Sequence, residues 1–331
     1  MVDAASAAVA QTRSMPASPA ARSLPRGSRA ATTLCLAAVL VVGLGASFRY
    51  VDQYVRYRGF GPPVSTVAPL ARGRIASFSF ASRALGGRRE RPLVYLPAGY
   101  GRDPRRFYPV LYLLHGTPGD PRTAFVDSLH VGPRMDELVA DRRLRPMIVV
   151  MPPGSPGTYD PATEWANGPA PGTRWFRYLT HDLVRAVDAR YRTIPSRQGR
   201  AIAGYSSGAD AAINAILWHP WTFGVAEAWS GDFRQTPRTV GKLPALVAHF
   251  SALQMAPRRA AGVRRAGDHV YLYAGRRDPV LPMTLSVGRD LERAHVRTRV
   301  DVTGGGHAWE LWASRMDGAL RYASDHLAAV R

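Results

Sequence analysis

The chain has 331 residues, 46% of them hydrophobic, which supplies enough apolar side chain for a large core and excludes a wholly disordered protein. Its 44 basic residues outnumber 24 acidic ones for a formal charge of +20, and Lys242 is the only lysine among them. A single cysteine, Cys35, excludes an intrachain disulfide, a cysteine metal cluster and thiol catalysis in the main domain, and the nine histidines lack any short ligand spacing, so no metal or cofactor is expected.

Residues 1–29 are rich in Ala, Ser and Pro, with Arg13, Arg22, Arg26 and Arg29 against Asp3, and have no periodicity; they are expected to form a disordered basic tail. From Ala30 to Phe48 the chain is almost continuously apolar or small. A helix over 30–48 would be roughly 28 Å long, close to the hydrocarbon thickness of a bilayer. Because the segment is long and its small-x-small site near Gly45–Ser47 is weak, it predicts an uncleaved transmembrane signal anchor. The expectation is then a single-pass cell-membrane protein with its main domain on the extracytoplasmic side, a stalk over 49–70 and a domain over 71–331. The arginines of that domain are dispersed in pairs such as Arg88–Arg89 and Arg258–Arg259. Without a basic run or an aromatic ladder they suggest a solvated basic face beside anionic lipid or wall polymer, and no nucleic-acid partner is expected.

Past the stalk, short apolar runs alternate with helical patterns. Strands are expected at Arg74–Ser82, Arg91–Leu96, Pro109–Leu114, Pro146–Met151, Gly199–Ala203, Gly224–Trp229, His269–Ala274 and Arg297–Val302. The first two are too close together to be parallel. Helices are expected at Trp175–Tyr191 and Ala308–His326, where apolar residues recur near helical spacing, and at Ser207–Leu217, which directly follows a strand. Strands separated by helices imply an α/β fold with a mostly parallel central sheet covered on both faces. The Pro- and Gly-rich stretch 152–172 follows a strand end, where a ligand pocket belongs in such sheets.

The sharpest local signal is Gly204-Tyr205-Ser206-Ser207-Gly208, preceded by a strand and followed by an Ala-rich helix. Small residues two before and two after Ser206 give the room a tight strand-to-helix turn needs, so Ser206 and not Ser207 is the candidate nucleophile. A serine hydroxyl needs a base, and His307, in the glycine-rich loop after the last strand, is the candidate. Asp278, beyond the strand His269–Ala274, is the candidate acid to orient that imidazole, with Asp301 and Asp232 as competitors. For the oxyanion, the amide of Ser207 and that of Thr117 are the candidate donors, since Pro118 has no N–H. Glu164, Trp165, Asn167, Tyr205 and Trp309 are candidate pocket residues, with core packing as the alternative for the two tryptophans.

The ordered set Val94-Tyr95-Leu96-Pro97, Tyr108-Pro109-Val110-Leu111-Tyr112-Leu113-Leu114-His115-Gly116, His181-Asp182-Leu183, the Gly204–Gly208 turn, Asp278 and Gly305-Gly306-His307-Ala308-Trp309 resembles the putative-esterase family of α/β-hydrolases over about residues 70–328. That group includes esterase D-like, feruloyl-esterase-like and antigen 85-type mycolyltransferase-like proteins. The resemblance implies an α/β-hydrolase fold and acyl transfer from an ester substrate through a covalent serine intermediate, usually to water. The expected function is a serine carboxylesterase acting on an envelope-associated or extracellular ester. The alternatives are a membrane-tethered acyltransferase with a glycan or lipid acceptor, and a catalytically silent interaction protein on the same scaffold.

Overall fold

Strand β5 (Val110–Leu114) shows how the sequence builds its sheet. Val110, Tyr112 and Leu114 enter one core, Leu111 and Leu113 enter a second on the opposite face, and all five are buried. Side chains alternate across a strand, so a strand covered on both faces must be apolar at every position, and this one is. The computed structural model describes residues 26–57, 72–154, 165–234 and 244–331.

Eight strands form the main sheet in the order β1 (Arg74–Ser77), β4 (Leu93–Leu96), β6 (Ile148–Met151), β5, β7 (Arg200–Tyr205), β8 (Val225–Trp229), β9 (His269–Gly275) and β10 (Arg297–Thr303). The pairs β1–β4 and β4–β6 are antiparallel and the rest parallel. The expected first strand over 74–82 is split: its second part, β2 (Phe80–Ser82), leaves the main sheet and pairs with β3 (Arg88–Glu90) in a separate hairpin. Asp182 anchors this hairpin, accepting hydrogen bonds from the Ser82 hydroxyl at 2.7 Å and the Ala84 amide at 2.9 Å. Burial would raise its carboxyl, but these donors and His181 hold it below the ordinary value.

On the first face lie the helices at 175–190, Ser207–Trp218, Ala252–Ala266 and Leu281–Arg293, through residues such as Leu183, Ile213, Ala260 and Leu291. The second face is covered by Val131–Ala140 and Trp309–His326, through Met135, Leu138, Trp312, Met316 and Leu320. Each fully buried residue of this size is worth about 1.5–3 kcal/mol. The helices at Val131–Ala140, Ala252–Ala266 and Leu281–Arg293 were not expected from the sequence. Pro257 lies inside the second and Pro282 in the first turn of the third, and proline punctuates a helical pattern even where the packed fold tolerates it.

Two compact units are distinguished, 1–51 and 52–331. The first contains most of a helix at Arg26–Tyr57, which runs past both ends of the expected 30–48 span. Among the described residues, no helix is long and apolar enough to cross a membrane. This overturns the expected transmembrane signal anchor, the membrane partner and the single-pass extracytoplasmic placement. Length alone suggested a span, but much of the run is Ala, Gly, Thr and Ser, including Thr32, Thr33, Gly43 and Gly45, and such residues contribute little transfer free energy. Of the expected tail and stalk, Arg26–Arg29 and Arg49–Tyr57 lie in this helix, while 1–25 and 58–71 lie outside the described residues.

Glu227 on β8 is fully buried and accepts a hydrogen bond from the Trp229 indole at 3.0 Å. Burial pushes its carboxyl up to about 8, more than the Trp229 and Ala323 donors lower it. Between an unfolded value near 4.5 and about 8 the folded chain therefore binds a proton the unfolded chain has released, and stability falls as pH rises through this window. Glu227→Gln copies the protonated shape, so its thermal midpoint is expected to fall less than that of the parent between pH 5 and pH 8, as followed by circular dichroism.

Candidate active site

Strand β7 delivers Ser206 to a turn before the helix Ser207–Trp218. Ser206 has φ 55° and ψ −121°, a backbone geometry that costs a non-glycine residue about 1–3 kcal/mol. Hydrogen bonds hold it there. Its amide donates to the Trp229 carbonyl at 3.0 Å, and its own carbonyl accepts from the amides of Ala209 and Asp232 at 3.1 and 3.3 Å. The flanking glycines are needed for space. A Cβ at Gly204 would lie 2.5 Å from the Gly208 carbonyl group, and one at Gly208 would lie 2.4 Å from the Leu114 carbonyl oxygen.

The first helical turn is thus pressed against the end of β5, and both neighbours are backbone that side-chain rotation cannot move. Gly208→Ala is expected to destabilise the protein by about 1–3 kcal/mol. Gly318→Ala, in the helix Trp309–His326 with nothing within 4 Å of the added Cβ, is expected to stabilise it by about 0.5–1 kcal/mol. Paired thermal or urea unfolding of the two variants checks both signs.

The loop after β10 brings His307 over Ser206. His307 Nε2 lies 3.1 Å from Ser206 Oγ, and His307 Nδ1 lies 3.2 and 3.3 Å from the two carboxylate oxygens of Asp278. A carboxylate only accepts, so Nδ1 donates to Asp278 and the neutral ring presents Nε2 as acceptor to the serine hydroxyl. Two backbone bonds tie this loop to the one carrying Asp278, from the Arg276 amide to the Thr303 carbonyl and from the Arg277 amide to the Gly305 carbonyl. Gly305 itself has φ +107°, which an L side chain rarely adopts. The Trp312 ring meets the imidazole edge-on at 5.1 Å between centroids.

Asp278 is buried. Desolvation would raise its carboxyl, but the hydrogen bond and charge of His307, Ser230 and the Val280 amide at 3.0 Å together hold it below the ordinary value. Of the two competing carboxylates, Asp301 is engaged elsewhere and Asp232 is close enough to feel the charge of His307. Asp301 on β10 pairs with Arg299 and Arg315 and accepts from the Tyr271 hydroxyl. Asp232 has an exposed side chain just past the end of β8.

Thr117 and Ser207 come together, their hydroxyl oxygens 2.8 Å apart, and Ser207 opens a helix whose positive dipole end faces the turn. His115 holds the loop before Thr117: its Nε2 accepts from the Gly154 amide at 3.2 Å, its Nδ1 donates to the Gly116 carbonyl at 3.0 Å, and its carbonyl accepts from the Trp165 indole at 3.0 Å. This positioning role was not legible in the sequence, because the residues that define it lie up to 50 positions away.

The expected pocket residues divide. Tyr205, Trp165 and Trp309 are buried, and Tyr205 packs on Trp312 and Trp309 at 4.4 and 5.4 Å between ring centroids, beneath the turn. Asn167 accepts from the Arg177 amide at 3.0 Å, at the start of a helix. Glu164 lies outside the described residues. A cavity of about 360 Å³ instead opens beside the site, lined by Asp232, Arg234, Pro279, Pro282 and Met283. Asp232 and Pro279 are near enough in sequence to the strand ends to have been candidates, whereas Met283 required the unforeseen helix Leu281–Arg293.

The sheet order, the strained serine at a strand-to-helix turn and the imidazole above it define an α/β-hydrolase of the serine-hydrolase, esterase type. Residues 82–323 match the family described as Putative esterase, and the chain belongs to that family. It is 32% identical over 165 residues to an endo-1,4-beta-xylanase/feruloyl esterase of Xylanibacter ruminicola, and 32% identical over 164 residues to an esterase of Mycobacterium tuberculosis. Each match covers 49% of this chain but only 22% and 32% of those proteins, so the chain matches a third or less of the length of these curated relatives. Among solved structures, a ferulic acid esterase superposes with a TM-score of 0.68 at 25% identity, over 77% of this chain and all of the other. An S-formylglutathione hydrolase of Agrobacterium tumefaciens shares the fold, with a TM-score of 0.62 at 17% identity over 79% of this chain and 100% of that one.

Proposed function

We propose that the chain is a serine carboxylesterase in which Ser206 is the nucleophile, His307 the general base and acid, and Asp278 the residue that orients the imidazole. The observation that carries this reading is the contact of His307 Nε2 with Ser206 Oγ at 3.1 Å while Nδ1 faces a buried carboxylate. Ser206 Oγ attacks the ester carbonyl as His307 takes its proton. The tetrahedral oxyanion is held by the Thr117 and Ser207 amides at the positive end of a helix. Collapse expels the alcohol with the proton from His307 and leaves an acyl-serine. Water, deprotonated by the same imidazole, attacks the acyl carbon and releases the acid, returning the proton to Ser206.

The cavity beside the site has the apolar wall of Pro279, Pro282 and Met283 that an acyl or aryl group needs, with Arg234 and Asp232 for polar substituents. Relatives named as feruloyl esterases support an aromatic acid ester as the substrate. The test is to incubate the full chain with p-nitrophenyl acetate and methyl ferulate, with and without a fluorophosphonate probe. Hydrolysis of both esters, blocked by stoichiometric labelling of Ser206, is expected. Absence of both turnover and labelling defeats the reading, and acyl transfer to added trehalose or glycerol that exceeds hydrolysis replaces it with an acyltransferase.

A further inference from the structure

A second cavity, of about 380 Å³, lies far from Ser206. It is lined by Arg74 and Ser77 of β1, Leu96 at the end of β4, Tyr100, and the segment Ala189–Arg192 at the end of the helix over 175–190. Because β4 runs antiparallel to β6, Leu96 sits where the parallel strands begin, and Ser206 sits where they end. β1, which lines the cleft from Arg74 to Ser77, is the marginal strand of the sheet and stands four places from β7, so the two openings lie roughly 15 Å or more apart across the sheet.

Three arginines and no carboxylate line this cleft. Arg192 is fixed in place: its backbone amide donates to the Tyr100 hydroxyl at 3.0 Å, its Nε to the Arg106 carbonyl at 3.1 Å and its terminal nitrogen to the Tyr100 carbonyl, and its guanidinium lies 4.1 Å from the Tyr100 ring centre. Arg190 lies 5.7 Å from the Tyr191 ring centre. Arg190 and Arg74 are exposed at the rim, and no carboxylate pairs with either among the described residues. The Tyr191 ring is half-buried and supported edge-on by Phe78 at 5.4 Å. A chain that pairs Arg200 with Asp188, one residue before the lining segment, leaves these rim charges uncompensated.

We infer that this cleft binds a carboxylated sugar, such as one residue of an acidic polysaccharide. Guanidinium groups pair bidentately with a carboxylate. The half-buried Tyr191 ring offers a flat apolar surface to a pyranose, and the hydroxyls of Ser77, Tyr100 and Tyr191 offer partners to sugar hydroxyls. A bare phosphate is the poorer fit, since the free guanidinium groups stand at an open rim above aromatic and aliphatic walls and do not enclose a compact anion. The cleft would hold a polymer chain while its ester is processed at Ser206, but binding there does not depend on the esterase reading.

The test is calorimetric titration of the full chain with trigalacturonate, xylotriose and inorganic phosphate, repeated on Arg74→Gln/Arg190→Gln. Trigalacturonate is expected to bind, xylotriose and phosphate to bind much more weakly, and the double variant to lose roughly tenfold or more in affinity. The variant's thermal midpoint and its rate on p-nitrophenyl acetate are expected to be unchanged, because both side chains are exposed. No binding of trigalacturonate, equal binding of xylotriose or phosphate, or undiminished binding by the double variant overturns the inference. A chain that hydrolyses esters yet ignores trigalacturonate defeats the cleft alone, and one that binds it without hydrolysing esters defeats the esterase reading alone.

Discussion

Ser206→Ala is expected to lower kcat on p-nitrophenyl acetate by roughly 10⁴- to 10⁶-fold and to abolish fluorophosphonate labelling. The size follows from the proposed role: without the hydroxyl no acyl-enzyme would form, and His307 would have no nucleophile at 3.1 Å to activate. The fold should survive, since the backbone bonds from the Ser206 amide to Trp229 and from Ala209 to the Ser206 carbonyl do not involve the side chain, and circular dichroism checks this. Ser207→Ala is the informative partner. It removes a hydroxyl that bonds Thr117 but leaves the Ser207 amide in place, so labelling should persist with a reduced rate. A dead Ser207 variant beside an active Ser206 variant would transfer the nucleophile's role to the neighbour.

The second large effect is expected from Asp278→Asn, a fall in kcat of roughly 10⁴-fold with the chain still folded. The carboxylate accepts from His307 Nδ1 and so directs the lone pair at Nε2 toward the serine. An asparagine amide can donate to Nδ1 instead, which puts the ring proton on Nε2 and points a donor at Ser206 Oγ. A stability signature accompanies it. The folded Asp278 carboxyl is held below its ordinary value of 3.8, so its contribution is present above that pH and is lost as pH falls through the lower folded value. The variant should therefore be less stable than the parent at neutral pH, and the gap should close in strong acid. Unfolding midpoints at pH 7 and below pH 3 test this, and a gap that widened toward acid would contradict it.

Replacement of His307 by Ala would remove the proposed base but would also uncover Trp312, so it mixes chemistry with packing. The serine and aspartate substitutions are cleaner because neither side chain is large and the loops that carry them are held by backbone bonds. The ties from Arg276 to Thr303 and from Arg277 to Gly305 explain how residues 29 positions apart arrive together: the two loops leave adjacent parallel strands, β9 and β10, at the same edge. Ser206 reaches the same edge from β7, two strands away.

Much of this was legible in the residues themselves. β5 reads as a strand because five successive apolar side chains in a short run suit a sheet covered on both faces, and the Gly204–Gly208 turn reads as it does because only glycine tolerates backbone about 2.5 Å from the Cβ position. Those are local constraints, fixed within a few residues, and sequence expresses them directly. The splitting of the first expected strand, the helix at Ala252–Ala266 despite Pro257 and the reassignment of Trp165 and Tyr205 to packing depended on distant partners: Asp182 for the hairpin, the first-face core for the helix, His115 and Trp312 for the two rings. The apolar run at 30–48 misled because hydrophobic length is a one-dimensional measure, whereas the helix built there reaches from Arg26 to Tyr57 and falls short in apolarity among its described residues. Asp278 and Asp301 both lie at or near a strand in the sequence, and the paired register shows the first facing an imidazole and the second two arginines. Sequence thus determined which residue types and local turns were available; the packing of the sheet against its helices decided which of them meet, because contact between distant positions is a property of the folded chain.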